Sequence, residues 1–296
     1  MLMDKTRKYV FVGNRRFVLK EMLEQNLQVA KALVASGTHL EKDIKKINIP
    51  YQLFHSKNEL LTMLNSLDFD VLVSNGCPYI LPISKMKQRT YVNIHPSMLP
   101  DLKGIDPVIG SVLFQRDSGA TCHIMDDGID TGSIIFQVRI PYSNDLDVSL
   151  LYQLSFIAER KVFREALDRN FKPLKPQISN KNLLYYSRKS QDKEITFKET
   201  NQELINKIKA FNNKSQGCTF VYQNESYKVY EIKILDNEFL KEYARDLDDY
   251  QIIFCYEDCI VFKKDGEIIK FDKVNGDLSR IKISSYINKI SHAVSL

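Results

Sequence analysis

The feature that most constrains this chain is an alternation of short apolar runs with segments of helical spacing, sustained from Tyr9 to Leu167. Tyr9 to Gly13 reads as an apolar strand, and Asn14 is placed to cap a helix running to about Gln25. Val29 to Val34, Tyr51 to Phe54 and Val71 to Ser74 read as further strands. Lys57 to Leu67 carries Leu60, Leu61, Leu64 and Leu67 on one helical face. TYVNIH is a strand cut short by Pro96, and ATCHIM a second strand-like run. Pro107 to Phe114 reads as a helix, Ile134 to Ile140 as a strand, and Val148 to Leu167 as a long amphipathic helix. Such alternation implies an α/β fold with a mostly parallel, Rossmann-like sheet and helices on both faces. Ligands in such sheets bind beyond the carboxyl ends of the strands. Gly13, Ser74 to Gly76, His95 and the DDGIDTG loop all fall at such ends.

Chemistry concentrates between Asn93 and Gly132, which opens NIHPSMLPDLKGIDP and closes ATCHIMDDGIDTG. Asn93 and His95, two positions apart on a strand, point to the same side. An amide donor and a titratable imidazole then face one spot, and a carboxylate from a neighbouring loop can orient the imidazole and hold its charge. This is the kit for attack on a carbonyl: an oxyanion donor, a base and a group that holds the base. Asp126, Asp127 and Asp130 share the loop and compete for the last role. A carboxylate within about 4–6 Å favours the imidazolium, so the His95 pKa is expected to be raised. Taken singly, an HP dipeptide at a strand end is an ordinary turn. DDGIDTG taken singly has the look of a calcium loop, but it lacks the closing Glu of the EF-hand pattern.

In this order and spacing the two segments resemble the N10-formyltetrahydrofolate-dependent formyltransferases. NIHPSMLPDLKG is similar to that family's N-x-H-P-S-x-L-P motif, and DDGIDTG to its D-x-G-x-D-x-G loop. The resemblance implies that Asn93, His95 and Asp130 form the catalytic trio, and it selects Asp130 among the three carboxylates. It implies N10-formyltetrahydrofolate as co-substrate, with no metal. In the family the loop matching SNGCPYILP holds the pterin, which marks Asn75, Gly76, Cys77, Pro78 and Ile80, with Asp126 and Gly128, as cofactor-binding candidates. Without the family that loop is an ordinary strand-to-helix connection. GNRRF after the first strand lacks the second and third Gly of a dinucleotide fingerprint. Arg15 or Arg16 can meet a phosphate at a helix N-terminus or stand as a solvated charge. Lys103 and Asp106 are open in the same way; Arg15, Lys103 and Asp106 are the substrate-binding candidates.

The 296 residues have room for one large domain and a smaller one. FKPLKPQISNKN reads as a surface linker, which places a catalytic domain at 1–185 and a β-rich domain at 186–296. Past the linker, ETNQELINKIKAF is a helix with Thr200 as N-cap and Glu203 completing a capping box. QGCTFVYQNESYKVYEIKIL looks like two strands around a turn at Asn224 and Glu225, and QIIFCYEDCIVFKKDGEIIKF repeats the pattern. A small antiparallel barrel or open sheet is expected there, and the resemblance extends over this part through YYSRK, ELINKIKAF and GCTF. There is no apolar run of about 18 residues to span a membrane, and MLMDKTRKYVFVG has no signal-peptide core. Five cysteines, an odd number, fit a reducing compartment without a disulfide frame, so a cytoplasmic location is expected. Cys255 and Cys259 lack the partners of a zinc site.

Charge distribution bears on the acceptor amine. From Ser190 onward 16 Lys+Arg face 18 Asp+Glu, a balance of −2; the totals of 42 and 37 leave 26 against 19, or +7, for the first 189 residues. A domain gripping tRNA should be basic, because phosphate neutralisation supplies most of the affinity. The tRNA enzymes also carry a longer basic, Gly-rich loop where this chain has the short, mixed ALVASGTHLEKDIKK. SNGCPYILP, LPDLKGIDP and ATCHIMDDGIDTG look closest to the nucleotide-linked amino-sugar N-formyltransferases. The expected acceptor is therefore the amine of a dTDP-, UDP- or GDP-linked amino-dideoxy sugar for a bacterial surface polysaccharide such as lipopolysaccharide O-antigen, with neither nucleic acid nor membrane as partner. Methionyl-tRNA formylation is the near alternative, and a non-catalytic nucleotide-sugar binding protein a more distant one. Dimers are common among sugar-type relatives, so a homodimer is expected by analogy alone.

Overall fold

The computed structural model describes residues 6–178 and 181–288. These fall into two compact units: one from Met1–Val108, Asp117–Pro141 and Tyr152–Ser187, the other from Ile109–Arg116, Tyr142–Leu151 and Arg188–Leu296. The first unit is built from β1 (Lys8–Gly13), α1 (Arg16–Glu24), β2 (Gln28–Ala35), α2 (His39–Ile44), β3 (Tyr51–Phe54), α3 (Lys57–Ser66), β4 (Val71–Asn75) and β5 (Thr90–His95). Next in the chain come α4 (Pro107–Leu113), most of which belongs to the other unit, then β6 (Ser118–Ile124), β7 (Ile134–Ile140) and α5 (Val148–Asp168), which belongs to the first unit from Tyr152 onward.

The seven strands form one sheet in the order β3-β2-β1-β4-β5-β6-β7. Pairings among β1 to β5 are parallel, while β6 and β7 run antiparallel at one edge. The apolar runs of β1 and β4 are near-continuous because both faces of these strands are covered. One face packs Val10, Val12, Leu33 and Leu72 against Leu60 and Leu64 of α3. The other packs Phe11, Val34, Val73 and Val92 against Val18, Leu19 and Met22 of α1 and Val162, Phe163 and Ala166 of α5. Each such side chain, fully buried, contributes about 1.5–3 kcal/mol. Glu21 ties α1 to α5: its buried carboxylate accepts from Arg160 Nε at 2.8 Å, Arg164 Nη2 at 2.7 Å and Gln25 Nε2 at 2.8 Å. Burial pushes the Glu21 pKa up, but these donors outweigh it and hold the group below its ordinary value.

Local details depart from the sequence reading. Arg15, with no side-chain cap, precedes α1. Asn14 turns instead toward Gly76, where a Cβ would meet its Oδ1 at 2.1 Å. The mixed THLEKDI stretch forms α2, a helix not anticipated. The segment after α5 runs exposed, as a linker would, yet it also pairs with the sheet edge: Leu174 N donates to Ile134 O at 2.7 Å and Ile134 N to Lys175 O at 2.8 Å.

The second unit contains α6 (Asn201–Ala210), β8 (Cys218–Tyr222), β9 (Glu225–Val229), β10 (Glu231–Leu235), α7 (Glu238–Tyr243), β11 (Ile252–Tyr256), β12 (Cys259–Lys264) and β13 (Glu267–Asp272). Strands β10-β13-β12-β11 make a four-stranded antiparallel sheet, and β8-β9 a separate hairpin. Gln223 and Asn224 have φ of 48° and 67°, and Asp265 and Gly266 φ of 51° and 75°. Two consecutive positive values match the twist of a tight hairpin. Among the described residues no helix is long and apolar enough to cross a membrane.

Candidate active site

Five strands end on the same side of a parallel sheet, and β5 delivers Asn93 and His95 there. Their i, i+2 spacing aims both at the loop after β6, where Asp130 arrives with a φ of 52°. Asp130 Oδ2 lies 3.5 Å from His95 Nδ1, and Oδ1 accepts from Asn93 Nδ2 at 3.3 Å. Gly104 N donates a second bond, to Oδ2, at 3.3 Å. The other two carboxylates of the loop turn elsewhere. Asp126 Oδ1 accepts from Gly128 N at 3.1 Å and Thr131 Oγ1 at 2.6 Å, which closes the loop on itself. Asp127 accepts from Ser84 N at 2.9 Å. The geometry therefore brings Asn93, His95 and Asp130 together.

A second imidazole joins them that the sequence reading did not single out. His123 on β6 lies directly across the antiparallel β5–β6 ladder from Asn93. Its Nδ1 donates to Ile124 O at 2.7 Å, which leaves Nε2 to accept from Asn93 Nδ2 at 3.2 Å. Nε2 is also 3.6 Å from Asp130 Oδ1. The signal was present in ATCHIM as a polar ring in an otherwise apolar strand, but its partner depends on register.

The tautomer of His95 follows from its surroundings. Nε2 donates to Leu102 O at 2.9 Å, so Nδ1 carries the lone pair of the neutral ring and faces Asp130. His95 is only 5% exposed. Burial dominates and lowers its pKa, against the upward pull of Asp130 and the Leu102 carbonyl; the His123 and Arg15 charges lower it further. The expected increase is thus corrected: the carboxylate is in place, but desolvation of the imidazolium is the larger effect. Asp130 is held down to about 2: burial pushes it up, and the His95 charge, the bond and charge of a protonated His123 ring and the Gly104 N–H together outweigh it. At neutral pH the arrangement favours a neutral imidazole beside an ionised carboxylate.

These groups sit in a cavity of about 370 Å³. Gly76, Cys77, Pro78 and Ile80 line it together with Leu81 and Met125, and Asp126 and Gly128 reach it from the loop. Gly104, Ile105, Pro107 and Tyr185 also line it. Burial pushes the Cys77 thiol up to about 11, so it is un-ionised at neutral pH. Arg15 lines the cavity too, paired with the buried Glu159 and lying 5.8 Å from the Phe156 ring. Burial raises the Glu159 pKa despite that partner. Three candidates are not among the lining residues. Asn75 is fully buried, with Nδ2 donating to Ile94 O at 3.1 Å. Lys103 pairs by its backbone with Tyr185, and Asp106 N donates to Tyr186 O at 3.3 Å. Arg16 pairs with Asp43 at 3.0 Å.

The chain and its fold are similar to those of known proteins. A methionyl-tRNA formyltransferase of Orientia tsutsugamushi is 25% identical over 250 residues, covering 78% of this chain and 81% of that protein. Among solved structures, WlaRD, a sugar 3N-formyl transferase in the presence of dTDP and 5-N-formyl-THF, superposes with a TM-score of 0.68 at 22% identity, covering 90% of this chain and 97% of that one. An N-formyltransferase from Helicobacter canadensis, in complex with folinic acid and dTDP-3-aminofucose, gives 0.68 at 22% identity, with 90% and 98% covered. Residues 26–167 match the family described as formyl transferase and residues 188–288 its C-terminal domain; the chain belongs to the formyl transferase family.

Proposed function

We propose that this protein transfers a formyl group from N10-formyltetrahydrofolate to the amine of a nucleotide-linked amino-dideoxy sugar. The observation that carries the sugar reading is the balance of −2 from Ser190 onward, 16 Lys+Arg against 18 Asp+Glu, where a tRNA-binding domain would be basic. Two solved neighbours whose names include dTDP or a dTDP-sugar support it. Methionyl-tRNA is the second reading, favoured by the name of the Orientia relative.

The cavity suits the folate. Cys77, Pro78, Ile80, Leu81 and Met125 offer an apolar wall for a flat heterocycle, and Asp126 and Gly128 stand at its edge. When bound, the co-substrate supplies an activated formyl carbon. His95 takes the proton that the attacking amine sheds, at Nδ1, because Nε2–H is committed to Leu102 O. Asp130 then stabilises the imidazolium from 3.5 Å, until His95 returns the proton to the folate nitrogen as its bond to the formyl carbon breaks. Asn93 exchanges its 3.3 Å bond to Asp130 for the developing oxyanion, while His123 keeps the amide oriented. Arg15, at the cavity wall, offers guanidinium donors to an anionic substrate.

The test is a formyl-transfer assay on dTDP-, UDP- and GDP-linked amino sugars and on methionyl-tRNA. Transfer to a sugar nucleotide, with methionyl-tRNA formylated at least a hundredfold more slowly, is expected. Comparable rates on the tRNA would sink the sugar reading.

A further inference from the structure

Asp130 does not hold its position unaided. Its backbone occupies the left-handed region, which costs a non-glycine residue of order 1 kcal/mol or more. Behind the loop runs the exposed segment that leaves α5 and pairs with Ile134 through Leu174 and Lys175. Two residues past that pairing, Gln177 turns its amide into the loop. Its Nε2 donates to Asp130 O at 3.0 Å and to Gly132 O at 2.7 Å, the carbonyls on either side of the bend. Both of its N–H hydrogens are thereby assigned. Among the described residues Gln177 Oε1 is buried with no partner. Such an orphan costs about 1–3 kcal/mol, so the placement of this amide is not explained by its own hydrogen-bond balance. At Gly132 a Cβ would meet Ile124 O at 1.9 Å, so the loop is also pressed flat against β6 there.

We infer that Gln177 is a positioning residue: it clamps the two carbonyls of the Asp130 bend from behind and so sets the carboxylate between Asn93, His95 and Gly104. This rests on the proposed role of Asp130 and goes beyond it, because the clamp comes from a segment that otherwise reads as a linker. Gln177 does not line the cavity and acts only through Asp130. Other clamps hold the front of the loop, namely Asp126 on Gly128 and Thr131 and Asp127 on Ser84, but none of these touches the Asp130 backbone.

The test compares Gln177→Met, which keeps length and removes both donors, with Gln177→Glu, which places a carboxylate against two carbonyls. Two readouts are used. The first is an NMR pH titration of the His95 ring, assigned with His95→Gln, which needs no substrate. In Gln177→Met His95 should titrate at lower pH than in wild type, in the direction and most of the distance that Asp130→Asn moves it. The second is the kcat for the best acceptor, which should fall tenfold or more in both variants with KM for the folate within about twofold. In the Asp130→Asn background Gln177→Met should add less than twofold, since contacts that act through one another are not additive. A wild-type His95 titration in a folded Gln177→Met protein overturns the inference, as does full additivity with Asp130→Asn. Absence of transfer to every amine would remove the functional reading, and the titration would still decide the clamp.

Discussion

At the carboxyl end of β5 four polar side chains, Asn93, His95, His123 and Asp130, share one buried space. In the second unit four phenylalanines, Phe197, Phe220, Phe262 and Phe271, share another. The Phe271 ring lies 4.9 Å from that of Phe262, 5.5 Å from Phe220 and 6.3 Å from Phe197. Both clusters are largely shielded from water, but different physics holds them. Ring pairs tolerate a range of geometries between offset-stacked and edge-to-face, and their angles here run from 27° to 76°. The polar cluster has one workable arrangement of donors and acceptors: Nε2–H of His95 to Leu102, Nδ1 toward Asp130, and the Asn93 amide between His123 and Asp130. Removing one atom there changes the protonation of its neighbours, while removing one ring opens a hole. Directional clusters fail in function first, and isotropic ones in stability.

The largest effect expected from that contrast is on turnover. His95→Gln should lower kcat about 10²–10⁴-fold, the usual range for a lost general base, while the melting curve moves little. Asp130→Asn should fall nearly as far, whereas Asp126→Asn and Asp127→Asn, whose carboxylates bond Thr131 and Ser84, should keep most activity. Because burial lowers the His95 pKa, the base is neutral over most of the working range. The acid limb of kcat/KM should therefore have its midpoint below the ordinary value of about 6.5. Asp130 pulls that value upward, so Asp130→Asn should move the midpoint further down. An acid limb above 6.5, or an active Asp130→Asn beside an inactive Asp127→Asn, would break the assignment.

Next in size is the aromatic cluster. Phe271 is fully buried, and Phe271→Ala should cost about 3–5 kcal/mol in denaturant unfolding of the second unit's transition. A loss under about 1 kcal/mol would mean that the surrounding rings collapse into the hole. Asn93→Ala follows, with turnover down about 10²–10³-fold, or roughly 2.7–4 kcal/mol of barrier, and little change in substrate binding. Near-normal turnover in that variant would return Asn93 to ordinary strand chemistry.

What could be read in advance divides along the same line. Apolar runs buried on both faces announced the parallel strands, and β3 and β7 begin and end where the reading put them. Asn93 and His95 were legible as a pair because two residues on one strand have fixed relative directions. His123 was not, since its place opposite Asn93 depends on how β6 registers against β5. Nor was the sign of the His95 shift, which depends on how completely the fold buries the ring. Gln177 lay hidden in a Pro- and Lys-rich stretch whose composition says only that it is exposed. Phe197, with a φ of 61°, carries no turn chemistry in its sequence; its four ring neighbours, Phe220, Tyr250, Phe262 and Phe271, hold it there.

The smallest effect concerns a directional polar arrangement placed outside any site. Thr200 caps α6, its Oγ1 accepting from Glu203 N at 3.2 Å while Glu203 Oε2 accepts from Thr200 N at 2.8 Å. These are two of the orphan donors of a helix start, satisfied reciprocally. Glu203 is exposed, and the bonds that its carboxyl accepts from Thr200 N and, at 3.0 Å, from Thr200 Oγ1 hold it below the usual range, led by the backbone bond. The geometry is as demanding as that around Asp130, yet water can replace each bond when it is lost. Thr200→Ala should therefore cost only about 1 kcal/mol, against the far larger change in barrier expected from Asp130→Asn. Thr200→Ser, which keeps the acceptor, should recover most of it. The stability supplied by the Glu203 carboxylate is present above its unfolded pKa and fades as pH falls through the lower folded value. The gap between Thr200→Ala and wild type should accordingly narrow in acid. A gap that stays constant from neutral to acid pH would mean that the bond from the Thr200 hydroxyl to the Glu203 carboxylate contributes nothing. A cost of 3 kcal/mol or more would mean that exposure does not discount a directional bond, and the contrast between the two kinds of cluster would lose its basis.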